Sequence, residues 1–343
     1  MSTPGFLIED RFQLHDPGSP HPESPSRLVH IRRALDEFGI TARWRRIEAR
    51  PATVEQLAWI HSRGHIENVK QASRSAPCYL DTDTPVCAES YSIALLAAGS
   101  VPACVDATFS GVVDRSFAFV RPPGHHAEFD HAMGFCLFNN IALGAAYLRS
   151  AHKLERVAIV DIDIHHGNGT QACFYRDPQV LYISTHQYPY YPGTGSLSEI
   201  GFEDGWGYNI NFPLPAGAGD GVFVPVYRQI VSTILDQYQP QFILVSAGFD
   251  ALEGDPLGGL TVSAAGFASA AASLCKAADR CCEGRICFIL EGGYSPSGLQ
   301  ACTRAVLTEL ESENPKELPL PGDAFFEFLL KHAEGEFGEI WSW

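Results

Sequence analysis

The stretch Val157–Gly169, VAIVDIDIHHGNG, holds the densest chemistry in the sequence. Four apolar residues lead into Asp161, Ile162, Asp163, Ile164, His165 and His166, and Gly-Asn-Gly follows. Side chains alternate between the two faces of a strand. The pattern therefore predicts Asp161, Asp163 and His165 on one face and the isoleucines on the other. Two carboxylates and an imidazole at the end of a buried strand are costly unless they are paired or hold a metal. The stretch reads as the floor of a metal site, with the glycines turning the chain away.

Three other apolar runs end in polar groups. Phe117–Val120 runs into Arg121-Pro-Pro-Gly-His125-His126, Phe242–Ser246 into Ala247-Gly-Phe-Asp250, and Ile286–Leu290 into Glu291-Gly-Gly-Tyr294. Ligands of open α/β sheets bind beyond the carboxyl ends of the strands, so these four ends predict one shared rim. Asp163, His165 and Asp250 supply three ligands and leave a position for water, as catalytic Zn²⁺ requires; Fe²⁺, Mn²⁺ or Co²⁺ also suit this shell. The ion would make water nucleophilic near neutral pH. His125 and His126 would take and return its proton, and Tyr294 would donate to the developing oxyanion. The parts describe metal-assisted hydrolysis of an amide or a similar carbonyl bond.

The elements that must position these groups alternate strand and helix, which predicts a parallel sheet covered on both faces. Helices are expected from Ser24–Ser26 to about Phe38, from Thr53 with a break at Gly64, over 89–109, to about Ser150, near Gln171–Tyr175, and over Asp220–Tyr238, Ser263–Cys282 and Pro296–Leu310. Strands are expected at 117–120, from 157 through the alternating residues to 165, and at 180–184, 208–213, 242–246 and 286–290. Residues 1–26, Pro- and His-rich, read as loop, as do 80–85 and the aromatic 186–196 segment. His61 and His65, four apart, read as surface or capping residues. A polar linker after residue 310 precedes a short apolar helix, AFFEFLLKHA. Its aromatic end predicts docking onto the body or onto another subunit. No linker divides the chain, so 1–343 reads as one domain with its core at about 20–310.

The bulk composition bounds the function class. With 24 basic and 40 acidic residues the net charge is −16, which argues against sequence-independent nucleic-acid binding. Ten cysteines form no C-x-x-C pair, against a zinc ribbon. The N-terminus has no signal-peptide pattern, and no apolar stretch is expected to reach membrane-span length. The expectation is a cytoplasmic protein without membrane or nucleic-acid partners.

Taken together, RPPGHHA at 121–127, GFCLFNN at 134–140, DIDIHHGNGT at 161–170, PGTG at 192–195, SAGFDALEGDPLGG at 246–259 and EGGY at 291–294 resemble the zinc-dependent histone deacetylase superfamily, which includes bacterial deacetylase-like and acetylpolyamine amidohydrolases. The resemblance spans about residues 20–310. It implies the arginase/deacetylase-like α/β fold with a parallel sheet of about eight strands. It makes Asp163, His165 and Asp250 the Zn²⁺ ligands, His126 the general base beside His125, and Tyr294 the transition-state tyrosine. Asp161 would orient His125. With Ser184, Thr185 and the backbones of Asp163 and His165, it would also hold structural K⁺ or Na⁺. A second monovalent site would use backbone around Phe174, Asp177 and Val180. Gly134, Phe135 and one of Tyr190 or Tyr191 match the wall of the acyl-lysine tunnel. Asp83 matches the rim aspartate that grips substrate backbone, and Arg27 the arginine of the acetate channel.

Two departures stand out. Asn168 occupies the place of the His126 partner, where class I members carry Asp; a neutral partner withholds charge that would raise the histidine pKa. Leu257 lies near the tunnel mouth where a polyamine-selective member can carry Glu, which tilts the expectation toward acyl-lysine or general acetylamine substrates. The leading reading is a zinc deacetylase of N-acetyl-lysine-like amines, in a peptide, a protein or a small amine, as a monomer or homo-oligomer. Acetylpolyamine deacetylation is the alternative. A non-catalytic acetyl-lysine-binding scaffold is disfavoured because every ligand and the tyrosine are present. Two-Mn²⁺ ureohydrolysis would need a second aspartate cluster.

Overall fold

The computed structural model describes residues 3–18, 20–320 and 322–342. Met1, Ser2, Ser19, Pro321 and Trp343, parts of the N-terminal loop, linker and tail read above, lie outside the described residues. Among the described residues ten strands are present: β1 Gly5–Ile8, β2 Arg45–Arg46, β3 Cys78–Asp81, β4 Thr84–Val86, β5 Arg115–Phe119, β6 Val157–Asp161, β7 Val180–Gln187, β8 Asn209–Leu214, β9 Phe242–Ala247 and β10 Ile286–Leu290. Eight of them form a parallel sheet in the order β2-β1-β5-β10-β9-β6-β7-β8, and β3 and β4 form a separate antiparallel ribbon. β5, β6, β9 and β10 are buried along their whole length, as parallel strands covered on both faces must be.

The four strands that end in polar groups are neighbours, β5-β10-β9-β6, in the middle of the sheet. Their carboxyl ends open together on one side of the molecule.

Several expectations are corrected. The N-terminal loop contains β1, whose four apolar residues pair with β5; the run was too short to stand out among the prolines. The polar segment 80–85 is the turn of the β3–β4 ribbon. The helix expected from Thr53 is two helices, Val54–Leu57 and Arg63–Arg74. Thr53 and Gln56 form the predicted capping box, but the break precedes Gly64, and Ser62 caps the second helix. His61 and His65 are buried core histidines. The Asp220–Tyr238 helix carries a π-helical segment at Val226–Val231, just after Pro225; proline cannot donate the hydrogen bond that regular helix needs.

The helix Ser90–Phe109 is long and apolar enough, by length and composition, to cross a membrane, contrary to expectation. Most of it is buried inside the body, against the helix Asn140–Ala151 and against β5. Its Ala, Gly and Ser residues let backbones approach closely: a Cβ at Gly99 would run into the backbone at Arg50–Ala52.

The C-terminal helix Ala324–Phe337 lies on the body through Phe326, Leu329, Ala333 and Phe337, all buried. The Trp341 indole donates to Gly207 O at 2.8 Å and meets the Tyr208 ring edge-on.

Candidate active site

β6 ends at Asp161, so strand alternation does not continue to His165 as the sequence suggested. Instead the chain turns on its own carboxylates. Asp163 N–H donates to Asp161 Oδ1 at 3.1 Å, and His165 N–H to Asp163 Oδ1 at 2.9 Å. Ile164 N–H donates across to Asp250 Oδ1 at 2.9 Å. This turn separates the three polar groups. Asp161 faces His125, while Asp163 and His165 converge with Asp250, their ligand atoms all within 4.8 Å of one another.

The donor set fits a divalent ion. Asp163 and Asp250 are fully buried. Asp250 Oδ2 lies 3.2 Å from His165 Nδ1 without an aligned hydrogen bond, and a buried carboxylate oxygen of this kind calls for a cation. Burial opposes a charge on His165, yet its hydrogen bond to Asp163 and the negative charges of Asp163 and Asp250 raise its pKa to about 10. The cluster thus draws in one positive charge, which a metal ion would supply in place of the proton. Two glycines keep the space open: a Cβ on Gly248 would strike Asp163 Oδ2, and one on Gly292 would strike Asp250 Oδ2.

Beside this floor stand the two histidines of the β5 end, both buried. His125 Nδ1 pairs with Asp161 Oδ2 at 3.0 Å. Burial resists its protonation, but Asp161 and Asp163 raise it to about 10. His126 Nδ1 meets Asn168 Oδ1 at 2.8 Å. Burial, with the charges of His125 and His165, pushes His126 well below the usual histidine range. One histidine is thus set to carry charge and the other to stay neutral, the separation expected of acid–base partners. Burial also pushes Tyr294 well above its usual range, so it stays a hydroxyl donor. Asp255 fixes its loop by accepting from Tyr294 N–H at 2.7 Å and Ser295 N–H at 2.9 Å.

Above the floor, a cavity of about 200 Å³ is lined by His125, His126, His165 and Tyr294 below and by Asp83, Gly134, Phe135, Tyr190, Tyr191 and Leu257 higher up. Tyr190 stacks on His165 with ring centroids 5.6 Å apart, and Tyr191 meets His126 edge-on at 5.2 Å. Both tyrosines therefore line the cavity, where the resemblance offered one or the other. The β3–β4 ribbon holds the opposite wall: Gly134 N–H donates to Asp83 Oδ1 and Phe135 N–H to Thr84 Oγ1, each at 3.2 Å. Phe135 adopts a left-handed conformation, φ 68°, rare for an aromatic residue and often found at functional sites.

The remaining candidates lie outside the cavity. Asp161 and Ser184 face each other in the β6–β7 register, and Thr185 Oγ1 meets Tyr227 OH at 2.5 Å. Phe174, Asp177 and Val180 form a turn, with Asp177 N–H on Phe174 O and Val180 N–H on Asp177 O. Arg27 is buried. It donates to Gly293 O at 2.8 Å, Glu291 O at 2.5 Å and Glu23 Oε1 at 3.2 Å.

Several residues that touch the site were not singled out from sequence. Glu291 Oε2 accepts from Gly124 N–H at 2.6 Å and His125 N–H at 3.2 Å. Glu23 sits buried between Arg27 and Arg121. Tyr182 OH donates to Asp161 Oδ2 at 3.2 Å, and Glu128 accepts from Asn168. An acid directly before Gly-Gly at a strand end was the one visible signal, at Glu291. The others are joined to the site only by long-range packing.

An eight-stranded parallel sheet thus carries, at the ends of its central strands, three groups that could hold a metal ion, paired histidines and a tyrosine on one cavity. The histone deacetylase domain family matches residues 21–310. Histone deacetylase 15 of Arabidopsis thaliana is 40% identical over 92% of this chain, which spans 57% of that relative's length. The histone deacetylase-like amidohydrolase of Pseudomonas aeruginosa is 38% identical, over 92% of this chain and 85% of that protein. The crystal structure of the HDA15 HD domain superposes with a TM-score of 0.92 at 37% identity, covering 99% of this chain and 97% of that one. The chain belongs to the histone deacetylase family, and with it to the deacetylase hydrolases.

Proposed function

We propose that the protein is a zinc-dependent amidohydrolase that removes acetyl or related acyl groups from N-acetyl-lysine-like amines. The observation that carries this is the convergence of Asp163, His165 and Asp250 beneath a narrow aromatic cavity that His126 and Tyr294 also line. Asp163, His165 and Asp250 would hold the ion, which supplies Lewis acidity and a water of lowered pKa. His126, held neutral, accepts the proton that attack on the carbonyl releases. Tyr294 donates a hydrogen bond to the oxygen where charge develops. His125, charged through Asp161, stabilises that negative charge, and the histidine pair returns a proton to the leaving amine. Tyr190, Tyr191 and Phe135 enclose an extended alkyl chain and exclude water.

The monovalent cation sites expected from the resemblance belong to the same reading. The burial of Asp161 beside Ser184 supports the first of them. Leu257 at the mouth offers no charge to a second amine, which favours acyl-lysine or simple acetylamines over acetylpolyamines.

Purified protein with one equivalent of Zn²⁺ should release the fluorophore from an acetyl-lysine coumarin, and a hydroxamate should block it. Tyr294→Phe should keep the metal and lose roughly 10²–10³ in kcat, the usual loss for an oxyanion donor. Intact metal content and activity in Asp250→Ala would overturn the ligand assignment. A kcat/KM panel of acetyl-lysine peptides, longer acyl-lysines and acetylated polyamines then ranks the substrates.

A further inference from the structure

We infer that Glu128 fixes the orientation of the Asn168 side-chain amide and thereby keeps the ring proton of His126 on Nδ1, which makes Glu128 a positioning residue. Asn168 stands between two groups. Its Oδ1 lies 2.8 Å from His126 Nδ1, and its Nδ2 lies 2.7 Å from Glu128 Oε1. The other acceptors near Nδ2 are weaker: Met133 Sδ at 3.3 Å and His126 O at 3.5 Å.

An asparagine amide can rotate by half a turn and exchange its oxygen and nitrogen at almost no change in shape. What prevents this must be a partner that accepts only, and an ionised carboxylate is such a partner. In the rotated amide, Oδ1 would face the Glu128 oxygen, and NH₂ would face His126 Nδ1. A neutral imidazole could then only accept there, so its proton would move to Nε2. That would occupy the nitrogen left to act as base on a ring that lines the cavity. With Asn168 Oδ1 facing Nδ1, as here, a neutral His126 donates from Nδ1 and keeps the lone pair on Nε2.

The surroundings leave this relay little room to rearrange. His126 and Asn168 are 4% and 5% exposed, so bulk water cannot readily replace either partner. Asn168 opens the helix Asn168–Phe174, and a Cβ on the next residue, Gly169, would run into Ala127 O. The helix start therefore lies against the histidine loop. Glu128 is held by its own backbone: its N–H donates to His131 O at 2.9 Å, and its carbonyl is 2.8 Å from Nδ1 of the buried His61.

The inference rests on the deacetylase reading only for what the His126 lone pair then does, so it is tested by turnover and by tautomer. Glu128→Ala should lower kcat by roughly tenfold, a part of the 10²–10⁴ that a general base contributes. KM, Zn²⁺ content and melting temperature should stay at wild-type values, and Glu128→Gln, whose amide can present either its oxygen or its NH₂ to Asn168, should recover only part of kcat. Asn168→Asp accepts from His126 in either orientation and repels Glu128. Adding Glu128→Ala to Asn168→Asp should therefore cost nothing or raise kcat. An equal loss in both backgrounds would mark Glu128 as merely structural and overturn the inference. ¹⁵N NMR of the Zn²⁺-loaded protein should show His126 protonated at Nδ1 in the wild type and a shift toward Nε2 in Glu128→Ala. An unchanged tautomer would overturn the inference even if no acetyl amide were turned over, an outcome that would count against the proposed function alone.

Discussion

The guanidinium of Arg27 lies over the ring of Tyr294, 4.9 Å from its centroid. The same guanidinium donates to the backbone on both sides of the glycine pair that precedes the tyrosine. Its remaining contact is to Glu23, which burial pushes up but Arg121 and Arg27 hold down at a pKa of about 2. The tyrosine loop and the histidine loop are thus tied to one buried carboxylate through two arginines.

Arg27→Ala should therefore affect both stability and turnover. Removing one member of a buried ion cluster costs about 3–5 kcal/mol because the remaining charge is left under-paired. Here Glu23 keeps Arg121, so the loss should fall at the lower end, read as a shift in the urea midpoint. kcat should drop more than KM rises, because Tyr294 loses the group beneath its ring. Arg27→Lys should recover little, since an ammonium lacks the fork that reaches Glu23, Gly293 O and Glu291 O together. Full activity in Arg27→Ala would show that Tyr294 needs no such support.

The glycines around the floor can be used to test the metal site without altering a ligand. Gly292→Ala places a methyl group against Asp250 Oδ2 and Asp163 Oδ2. Displaced ligands should weaken Zn²⁺ binding by about 10- to 100-fold, the range seen when groups supporting ligands are lost. Competition with a chromophoric chelator measures this directly. Wild-type affinity would mean that Asp163 and Asp250 are not both ligands.

Stability should fall as the solution is acidified below pH 6.5. Burial lowers His15 to about 4, His61 to about 3 and His186 to about 4. Between pH 6.5 and 4 the unfolded chain takes up protons that the folded chain refuses. The stabilisation by these neutral histidines is therefore full above pH 6.5 and lost on the way down. His15 and His186 each account for about 3 kcal/mol and His61 for about 5 kcal/mol by the usual conversion. Burial raises Glu291 to about 7 and Asp250 to about 6, and against burial the neighbouring aspartates hold His125 and His165 at about 10; these four bind protons more tightly folded than unfolded and run the other way, offsetting part of the loss. The expected result for metal-free protein is a urea midpoint that declines steadily from pH 7 to pH 4.5. A flat profile would show that His15, His61 and His186 are protonated in the fold.

The C-terminal segment gives a separate stability test. Trp341→Ala removes the indole donor to Gly207 O and a ring packed on Tyr208 and Tyr238. A loss of about 3–5 kcal/mol is the ordinary cost of such a truncation, measured by denaturant unfolding. A change below about 1 kcal/mol, the size of a surface substitution, would mean that the tail contributes little to the body.

How much of this was legible in the sequence depends on the range of the interaction. The strands that carry the site were visible because each is a short apolar run ending in polar residues. Their convergence followed from the geometry of parallel sheets. β1 was not visible: GFLI is too short to signal a strand before its partner β5 is known. His61 and His65 looked like surface residues because nothing local shows that residues 128–139 close over them. Glu23 and Arg121 are separated by almost a hundred residues, and only the folded chain shows them as a pair. Asn168 was recognised beside His126 by resemblance, whereas Glu128 behind it has no local signature.

The isolated β3–β4 ribbon stands apart from the main sheet, yet it holds one wall of the cavity, while the floor hangs on the four central strands. Hydrogen exchange should divide the site accordingly. Amides of β5, β6, β9 and β10 should exchange only on global unfolding, and those of the ribbon through cheaper local openings. A rigid floor demands one geometry of the scissile amide. On the proposed function, a yielding wall would let the mouth adjust to whatever carries that amide, so that strictness toward the acyl group and tolerance toward its carrier would come from two different sheets of the same fold.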